Sequence, residues 1–284
     1  MKWRGRRQSE NIEDRRGMRV GRGVVGGGIG TVVLVLVAMY FGVDPSVVMQ
    51  GVSTGPADPA TQESYVESQQ EAEWRQQIAV ALADTEDAWS AEFSKLGGAY
   101  QTPTLVLFSD AVESACGSAQ AAMGPFYCPA DQRLFIDLTF LGQMQAQLGA
   151  KGDAGRSYVV AHEVGHHVQN LVGKSGQVHE LQQRVGEVEA NQLSVRLELQ
   201  ADCYAGLSVQ RAESRAGVLE PGDIEEAMNT ASAIGDDRLQ QGAGRAVVPD
   251  SFTHGSSEQR LRWFLKGFEG GSFEGCDTFK AADL

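Results

Sequence analysis

The sequence predicts an α+β domain, mostly helical with one small sheet, that is preceded by a single transmembrane helix. Three observations lead to this prediction. An apolar run at residues 23–43 contains no charged side chain. Only two short runs, 104–108 and 133–138, have the composition of strands. Most of the remaining chain after residue 71 has apolar residues at helical spacing.

The apolar run is long enough to cross a bilayer. At about 1.5 Å of rise per residue, its 21 residues span roughly the 30 Å of a hydrocarbon core. A cleaved signal peptide is the competing interpretation, but its apolar region would be shorter and a small-x-small cleavage site should follow. We therefore expect residues 23–43 to be an uncleaved membrane anchor.

Charge is distributed unevenly around this run. Residues 1–22 contain eight Lys or Arg and three Asp or Glu, whereas the whole chain has a net charge of -13. Because basic residues flank the cytoplasmic end of membrane helices, we expect 1–22 to be a cytoplasmic segment and everything after residue 44 to be extracytoplasmic. The acidic remainder would repel nucleic acid, so we expect no nucleic-acid partner.

Residues 44–70 are polar and rich in Pro, Gly, Ser and Gln, which is typical of a linker. The predicted domain then occupies residues 71–284. Its first helix should end at Gly97, and a second should begin at an Asp153 cap and end at Gly173. Further helices are expected over residues 180–216, 223–241 and 260–267, with Pro221 breaking the first from the second.

Four cysteines lie in the predicted extracytoplasmic domain, and an even number favours two disulfides. Three connectivities are open. We predict that Cys116 pairs with Cys128, which is close in sequence, and that Cys203 pairs with Cys276. A cysteine-rich zinc site is the alternative, but the chain has no C-x-x-C spacing.

The chemistry is indicated by the sequence His162-Glu163-Val164-Gly165-His166. On a helix, side chains four residues apart lie above one another, so both imidazoles can bind one cation. Glu163 lies about 100° around the helix, where it can act as the general base for a water that the metal activates. The alternative, two histidines hydrogen-bonded in a core, leaves the Glu between them unexplained.

Zinc needs a third protein ligand, and the best candidate is Glu198. Glu198 and Asp202 are four residues apart in a partly apolar helical stretch. Glu198 can ligate while Asp202 accepts a hydrogen bond from a metal-bound imidazole, most simply that of His162. The alternative is that both carboxylates belong to an ordinary solvated helix face. The fallback ligands are Glu187 and Glu189.

Four segments resemble the family described as putative neutral zinc metallopeptidase, the YpfJ-like proteins: 114–140, YVVAHEVGHHVQNLVG, ELQADCYAG and THGSSEQRLRWFLKG. The opening KWRGRRQSENIEDRRG resembles that family as well. This resemblance implies a zincin-like domain, tethered by one membrane helix, over residues 71–284. The segment ELQAD is also similar to the Glu-x-x-x-Asp of HtpX-type membrane proteases, which implies Glu198 as the third ligand.

His254 is a further candidate catalytic residue. A gluzincin site often uses a His or Tyr to stabilise the oxyanion, and HtpX-type proteases have a His-Pro in a similar place. In this chain Gly255 replaces that Pro. We predict His254 near the site, with Arg260 as a companion; otherwise His254 is a loop residue.

These observations predict a zinc-dependent metalloendopeptidase anchored in the membrane, with Zn2+ as cofactor and a protein or peptide substrate. Residues 134–138 are a candidate edge strand for an extended peptide. One alternative is a catalytically idle metal- or peptide-binding membrane protein, such as an assembly or quality-control factor. Another is a metal-dependent hydrolase of non-peptide amides.

Overall fold

The computed structural model describes residues 1–18, 65–148 and 152–284. The predicted membrane helix at 23–43, and the predicted linker up to residue 64, lie outside these described residues. In the part of the chain that the structure describes, no helix is both long and apolar enough to cross a membrane. The fold is α+β and mostly helical with a small sheet, as predicted.

Four strands form the main sheet in the order β1-β2-β6-β5. They are β1 (Ile12–Asp14), β2 (Thr104–Phe108), β6 (Arg133–Asp137) and β5 (Phe126–Cys128). The first three are mutually parallel, and β5 is antiparallel to β6. A separate hairpin, β3 (Ala111–Ser114) and β4 (Gly117–Gln120), follows β2 in the chain.

Both faces of this sheet are covered, which explains why β2 and β6 are almost continuously apolar. Alternate residues point in opposite directions. Leu105, Leu107, Leu134 and Ile136 face the large core that the helices form. The residues between them, Val106, Phe108 and Phe135, pack with the hairpin side chains Val112 and Ala119.

The position of β6 corrects one prediction. Residues 134–138 were expected to be an edge strand, but β6 pairs with β2 on one side and β5 on the other. Its ladder is therefore complete, and it has no free edge for a peptide. The edge beside it is β5.

Eight helices complete the described residues. They are α1 (Gln69–Lys95), α2 (Leu138–Leu148), α3 (Asp153–Leu171), α4 (Lys174–Gln182), α5 (Glu187–Ala216), α6 (Asp223–Ala233), α7 (Asp236–Gly242) and α8 (Ser257–Gly270). Buried residues of α1, α3, α5, α6 and α8 share one core with the sheet. The helices α3 and α5 lie at its centre and provide the candidate site.

Most helix predictions hold, with corrections at the ends and at one break. The stretch predicted as continuous over 180–216 belongs to α4 and α5, which residues 183–186 separate. The cap of α3 is Gly152, so Asp153 is the first helical residue rather than the cap. The predicted helix over 223–241 is two helices that are separated at Gly235, where a side chain would collide with the backbone of Ser257. The last helix begins earlier than predicted because Ser256 and Gln259 form a capping box.

The N-terminal residues do not form a separate segment. Met1–Arg16 belongs to the same compact unit as Val66–Leu284, and Gly17–Tyr65 is a second unit. The boundary predicted at residue 22 lies outside the described residues and stays a prediction. Backbone pairing of β1 with β2 adds residues 12–14 to the sheet.

Both predicted disulfides are present. Cys116 is bonded to Cys128, and Cys203 is bonded to Cys276. The first joins the end of the β3 region to β5, and the second joins α5 to the C-terminal tail.

The helices α5 and α8 pack backbone against backbone. A Cβ at Gly267 would lie 1.9 Å from the carbonyl oxygen of Cys203, and one at Gly206 would lie 2.0 Å from that of Phe264. Gly206 and Gly267 therefore allow the backbones of α5 and α8 to touch. The close contact brings the face of α8 that bears Arg260 against α5.

Replacing Gly267 with Ala is expected to destabilise the domain by about 1–3 kcal/mol, because the methyl group forces the two helices apart. Chemical unfolding of the purified protein measures this. Gly270→Ala is the matched control on the same helix, since a Cβ there meets nothing within 4 Å. Equal unfolding midpoints for the two variants would contradict the close packing.

Candidate metal centre

The helix α3 holds the two histidines of the motif on one face. Val160, Val164 and Val168 form a fully buried stripe, so tertiary packing fixes the rotation of the helix. His162 and His166 lie one turn apart, with ring centroids separated by 4.8 Å. His162 is buried and His166 is partly buried.

Glu198 on α5 faces both rings. Its Oε2 lies 3.2 Å from His162 Nε2, and its Oε1 lies 3.4 Å from His166 Nε2. The candidate ligand atoms of these three residues lie within 4.8 Å of one another. Two ligands about 2.0–2.2 Å from one tetrahedral zinc ion are separated by about 3.4 Å. The observed separations fit that geometry, so His162, His166 and Glu198 could hold one zinc ion.

Hydrogen bonds orient both imidazoles with Nε2 toward Glu198. His162 Nδ1 lies 2.9 Å from Asp202 Oδ1, and His166 Nδ1 lies 3.0 Å from Gln169 Oε1. Since these oxygens can only accept, each Nδ1 carries the proton and donates it. Each Nε2 is then left with a lone pair for a metal.

Sequence reasoning missed the role of Gln169. Its Nε2 donates to Leu197 O at 2.7 Å and to Gln200 Oε1 at 3.2 Å, which fixes its amide oxygen toward His166. The available signal was its position three residues after His166 on the same helix face. That spacing alone does not separate an orienting amide from an ordinary core residue.

Asp202 is fully buried and accepts several hydrogen bonds. Besides His162, its donors are the Tyr158 hydroxyl and the Arg260 guanidinium, whose Nε lies 2.9 Å from Oδ2. Burial raises the pKa of Asp202, but Arg260 and His162 outweigh it and lower that pKa below its usual value. Arg260 was expected beside His254 as an oxyanion partner; its side chain instead binds Asp202 in the interior.

Glu163 is 7% exposed and lies among the same charged groups. Burial raises the pKa of its carboxyl, against the opposing effect of His166 and His162. A carboxylate with a raised pKa accepts a proton more readily, as a general base must.

The buried charges favour a divalent cation. Ionised Glu163, Glu198 and Asp202 face the single positive charge of Arg260, which leaves two negative charges if both imidazoles are neutral. In the metal-free chain, protons partly compensate. Burial lowers the pKa of His162, but Asp202 and Glu198 outweigh it and raise that pKa to about 10. A metal would displace such protons on binding.

The helices α3 and α5 approach closely at the site. A Cβ at Gly165 would lie 2.9 Å from the carbonyl oxygen of Ala201. The glycine therefore allows the backbones to come within reach of one shared ion.

His254 is 51% exposed and lies in a loop that Asp236 holds. Asp236 Oδ2 accepts the backbone N–H groups of Thr253, His254 and Gly255 at 2.7–3.0 Å, and Oδ1 lies 3.2 Å from His254 Nδ1. Burial lowers the pKa of His254, but Asp236 and Glu198 raise it above its usual value. The contacts of His254 itself are with Asp236 and Thr253.

The loop also explains why no proline follows this histidine. Gly255 has a φ of 92°, which the proline ring cannot adopt.

Other candidates lie elsewhere. Glu187 and Glu189 are exposed in the first turn of α5, outside the group of close ligand atoms among the described residues. His167 is buried and forms hydrogen bonds with Tyr127 Oη and the carbonyl oxygen of Gln101. It therefore connects α3 to β5 and does not point to the metal centre. A second cluster, which contains Asp153 and Asp223, contacts the amino group of residue 1.

Comparisons with known proteins show the family to which the chain belongs. A family model described as putative neutral zinc metallopeptidase matches residues 1–279. The chain is 48% identical to the uncharacterized protein YpfJ of Escherichia coli K12, over 98% of this chain and 99% of that protein. It is 43% identical to an uncharacterized protein of Mycobacterium tuberculosis H37Rv, over 65% of each chain. No solved structure matches the chain.

Proposed function

The chain belongs to the putative neutral zinc metallopeptidase family, and on that premise we propose that it is a zinc-dependent endopeptidase in which His162, His166 and Glu198 hold the metal. The observation that supports this most strongly is the convergence of three ligand atoms from α3 and α5, with Glu163 buried beside them. An ion-pair network without a metal would not need two imidazoles with both Nε2 atoms facing one carboxylate.

A bound zinc ion would polarise the scissile carbonyl and lower the pKa of a water to about 7. The protein groups supply the proton transfers. Glu163 accepts a proton from the attacking water and passes it to the leaving amine. Asp202 and Gln169 keep the two imidazole rings in their orientations while this happens.

Metal removal tests the proposal. The purified full-length chain is expected to contain one zinc per chain and to cleave an unfolded protein such as casein. Treatment with a chelator should abolish cleavage, and zinc should restore it where magnesium does not, because the donor set is nitrogen-rich. Bound zinc without any cleavage of proteins would contradict the peptidase and favour a metal-binding protein. Cleavage of small amides alone would favour an amide hydrolase.

We further propose that His254 stabilises the oxyanion of the tetrahedral intermediate. Its support is its exposed side chain, the electrostatic influence of Glu198 on its pKa, and the Asp236 carboxylate that orients its ring. His254→Ala is expected to lower kcat by about 10²-fold, the usual effect of removing one oxyanion donor, without loss of zinc. His179→Ala, on an exposed helix face, is the matched control. Equal kcat for the two variants would rule out the role.

The substrate in this proposal is an extended peptide that pairs with β5. An added strand needs an edge, and β5 is the sheet edge beside α3. Tyr127 on β5 bonds to His167 of α3, which ties this edge to the helix of the metal ligands.

Membrane attachment through residues 23–43 also stays a proposal. Its support is the uncharged 21-residue run itself. The two disulfides support an oxidising, extracytoplasmic location for the domain.

A further inference from the structure

We propose that Arg260 is a positioning residue for the metal centre: it holds the Asp202 carboxylate, and Asp202 in turn orients His162. This inference rests on the zinc site proposed above. It assigns a role to α8, a helix that contributes none of the three candidate ligands.

Arg260 binds both oxygens of Asp202. Its Nε lies 2.9 Å from Oδ2 and its Nη2 lies 3.1 Å from Oδ1, which is the two-pronged geometry that guanidinium and carboxylate groups favour. Nη2 also donates to the Tyr158 hydroxyl at 3.1 Å. The side chain is 1% exposed, so substrate cannot reach it and it cannot serve as an oxyanion donor.

The pairing fixes the direction of the His162 ring. Tyr158 and His162 both approach Oδ1, so neither of them prevents the carboxylate from rotating about that oxygen. The bond from Arg260 Nε to Oδ2 does prevent it. With Asp202 held, the donor Nδ1–H of His162 has one fixed acceptor and Nε2 points toward Glu198.

Lysine should not replace this arginine. Its ammonium group is a single point donor and cannot bind both carboxylate oxygens in a fixed plane. Arg260→Lys therefore preserves the buried charge and removes the orientation, which separates positioning from simple charge balance.

Zinc affinity, measured by chelator competition on the full chain, tests the proposal. Arg260→Lys is expected to weaken zinc binding by about 10–100-fold, the usual effect of losing a group that orients a ligand. Its Co2+-substituted form should also have a shifted absorption spectrum. Tyr158→Phe, which deletes one hydroxyl, should weaken binding less. Arg262→Lys, exposed on the same helix, should have no effect.

Unchanged zinc affinity in folded Arg260→Lys would overturn the proposal, as would unchanged affinity in Arg260→Gln where Arg260→Lys does not fold. The outcome is independent of peptidase activity. If Arg260→Lys weakens zinc binding but the unmodified protein never cleaves peptides, the proposed peptidase function is wrong and the role of Arg260 stands. If Arg260→Lys leaves zinc affinity unchanged and the unmodified protein cleaves peptides, the role of Arg260 is wrong and the proposed function stands.

A different observation leads to a second inference. We infer that residues 1–16 and the metal centre lie on the same, oxidising side of any membrane that the chain crosses. This arrangement replaces the predicted combination of a cytoplasmic N-terminus with an extracytoplasmic domain.

The N-terminal residues are integral to the domain. Ile12 pairs with Leu105 and Asp14 with Leu107 in a parallel ladder. Trp3 is 7% exposed, and its Nε1 donates to Asp153 Oδ2 at 3.1 Å, at the start of α3. A strand cannot pair with its sheet across a bilayer.

Four of the eight basic residues that indicated a cytoplasmic segment bind carboxylates between residues 67 and 87. Arg6 binds Asp84 at 2.5 Å, and Arg7 binds Glu86 at 2.9 Å. Arg16 binds Glu67 at 2.8 Å, at the position where the chain re-enters the unit. Because carboxylates of the domain compensate these charges, they are not evidence for a cytoplasmic location.

A single crossing by residues 23–43 would place residues 1–16 and 66–284 on opposite sides, so this inference replaces the single-pass anchor and leaves only attachment of that run without a net crossing. The disulfides decide which side the unit occupies. Cys116–Cys128 and Cys203–Cys276 lie in the same unit as residues 1–16, and disulfides persist in oxidising compartments.

Single added cysteines test this inference in protoplasts, because the native cysteines are all paired. Gln8→Cys reports the N-terminal segment and Glu180→Cys reports the domain, both at exposed positions. We expect a membrane-impermeant maleimide to label both variants in intact protoplasts, and equally after permeabilisation. Labelling of Glu180→Cys alone, or of neither until permeabilisation, would overturn the inference.

Discussion

Glu163→Gln is expected to lower peptide cleavage by about 10²–10⁴-fold, the usual contribution of a general base, while one zinc stays bound per chain. The amide has nearly the same shape as the carboxylate but cannot accept the proton of the attacking water. Zinc retention is expected because the candidate ligand group consists of His162, His166 and Glu198 and does not contain Glu163. Steady-state cleavage of a fluorogenic peptide, with metal analysis of the same sample, measures both.

The pH dependence of cleavage by the unmodified protein also tests the role of Glu163. Burial raises the pKa of Glu163 in the metal-free chain. A base must be deprotonated, so cleavage should fall as the pH drops through the pKa of this group. Retention of full activity by Glu163→Gln would remove Glu163 from the mechanism, whatever its position.

The helix of the histidines was predictable because two local signals agree. Apolar residues at Val160, Val164 and Val168 define a core stripe, and the histidines lie away from it at i and i+4. Glu198 and Asp202 repeat the i, i+4 relation on the next long helix. The structure brings all four side chains together.

The groups that hold these ligands were not predictable in the same way. Arg260 is 58 residues from Asp202, so only the packing of α8 on α5 brings the two into contact. Asp236 holds the His254 loop through backbone N–H groups, which leave no trace in the sequence of that loop. Local periodicity describes one helix and carries no information on which helices meet.

The strand β1 was missed for a related reason. It has only three residues, two of them acidic, and lies among arginines, so its composition resembles a soluble charged segment. Backbone hydrogen bonds with β2 hold it in the sheet, while Glu13 pairs with Arg133 and Asp14 with Arg16. The basic composition before an apolar run indicated a membrane-flanking segment, and it gave no sign that Arg6, Arg7 and Arg16 also form ion pairs with the domain.

Glu198→Gln should lower zinc affinity, whereas Glu163→Gln should not, because Glu198 is a metal ligand and Glu163 is a base. Zinc affinity is expected to fall by at least about 100-fold, since loss of groups that merely orient a ligand already lowers it 10–100-fold. Cleavage should disappear at low zinc. An amide oxygen is neutral and coordinates zinc poorly, so the site loses both a bond and a charge.

Glu189→Gln is the matched control, an exposed carboxylate in the first turn of the same helix. It should bind zinc as the unmodified protein does, because it lies nine residues before Glu198, about 13 Å along the helix axis. Chelator competition with both variants decides between the two carboxylates. Tight zinc binding by Glu198→Gln together with weak binding by Glu189→Gln would contradict the assignment of Glu198 as the third zinc ligand. The three-ligand geometry derives from Glu198 lying 3.2 and 3.4 Å from the two imidazoles.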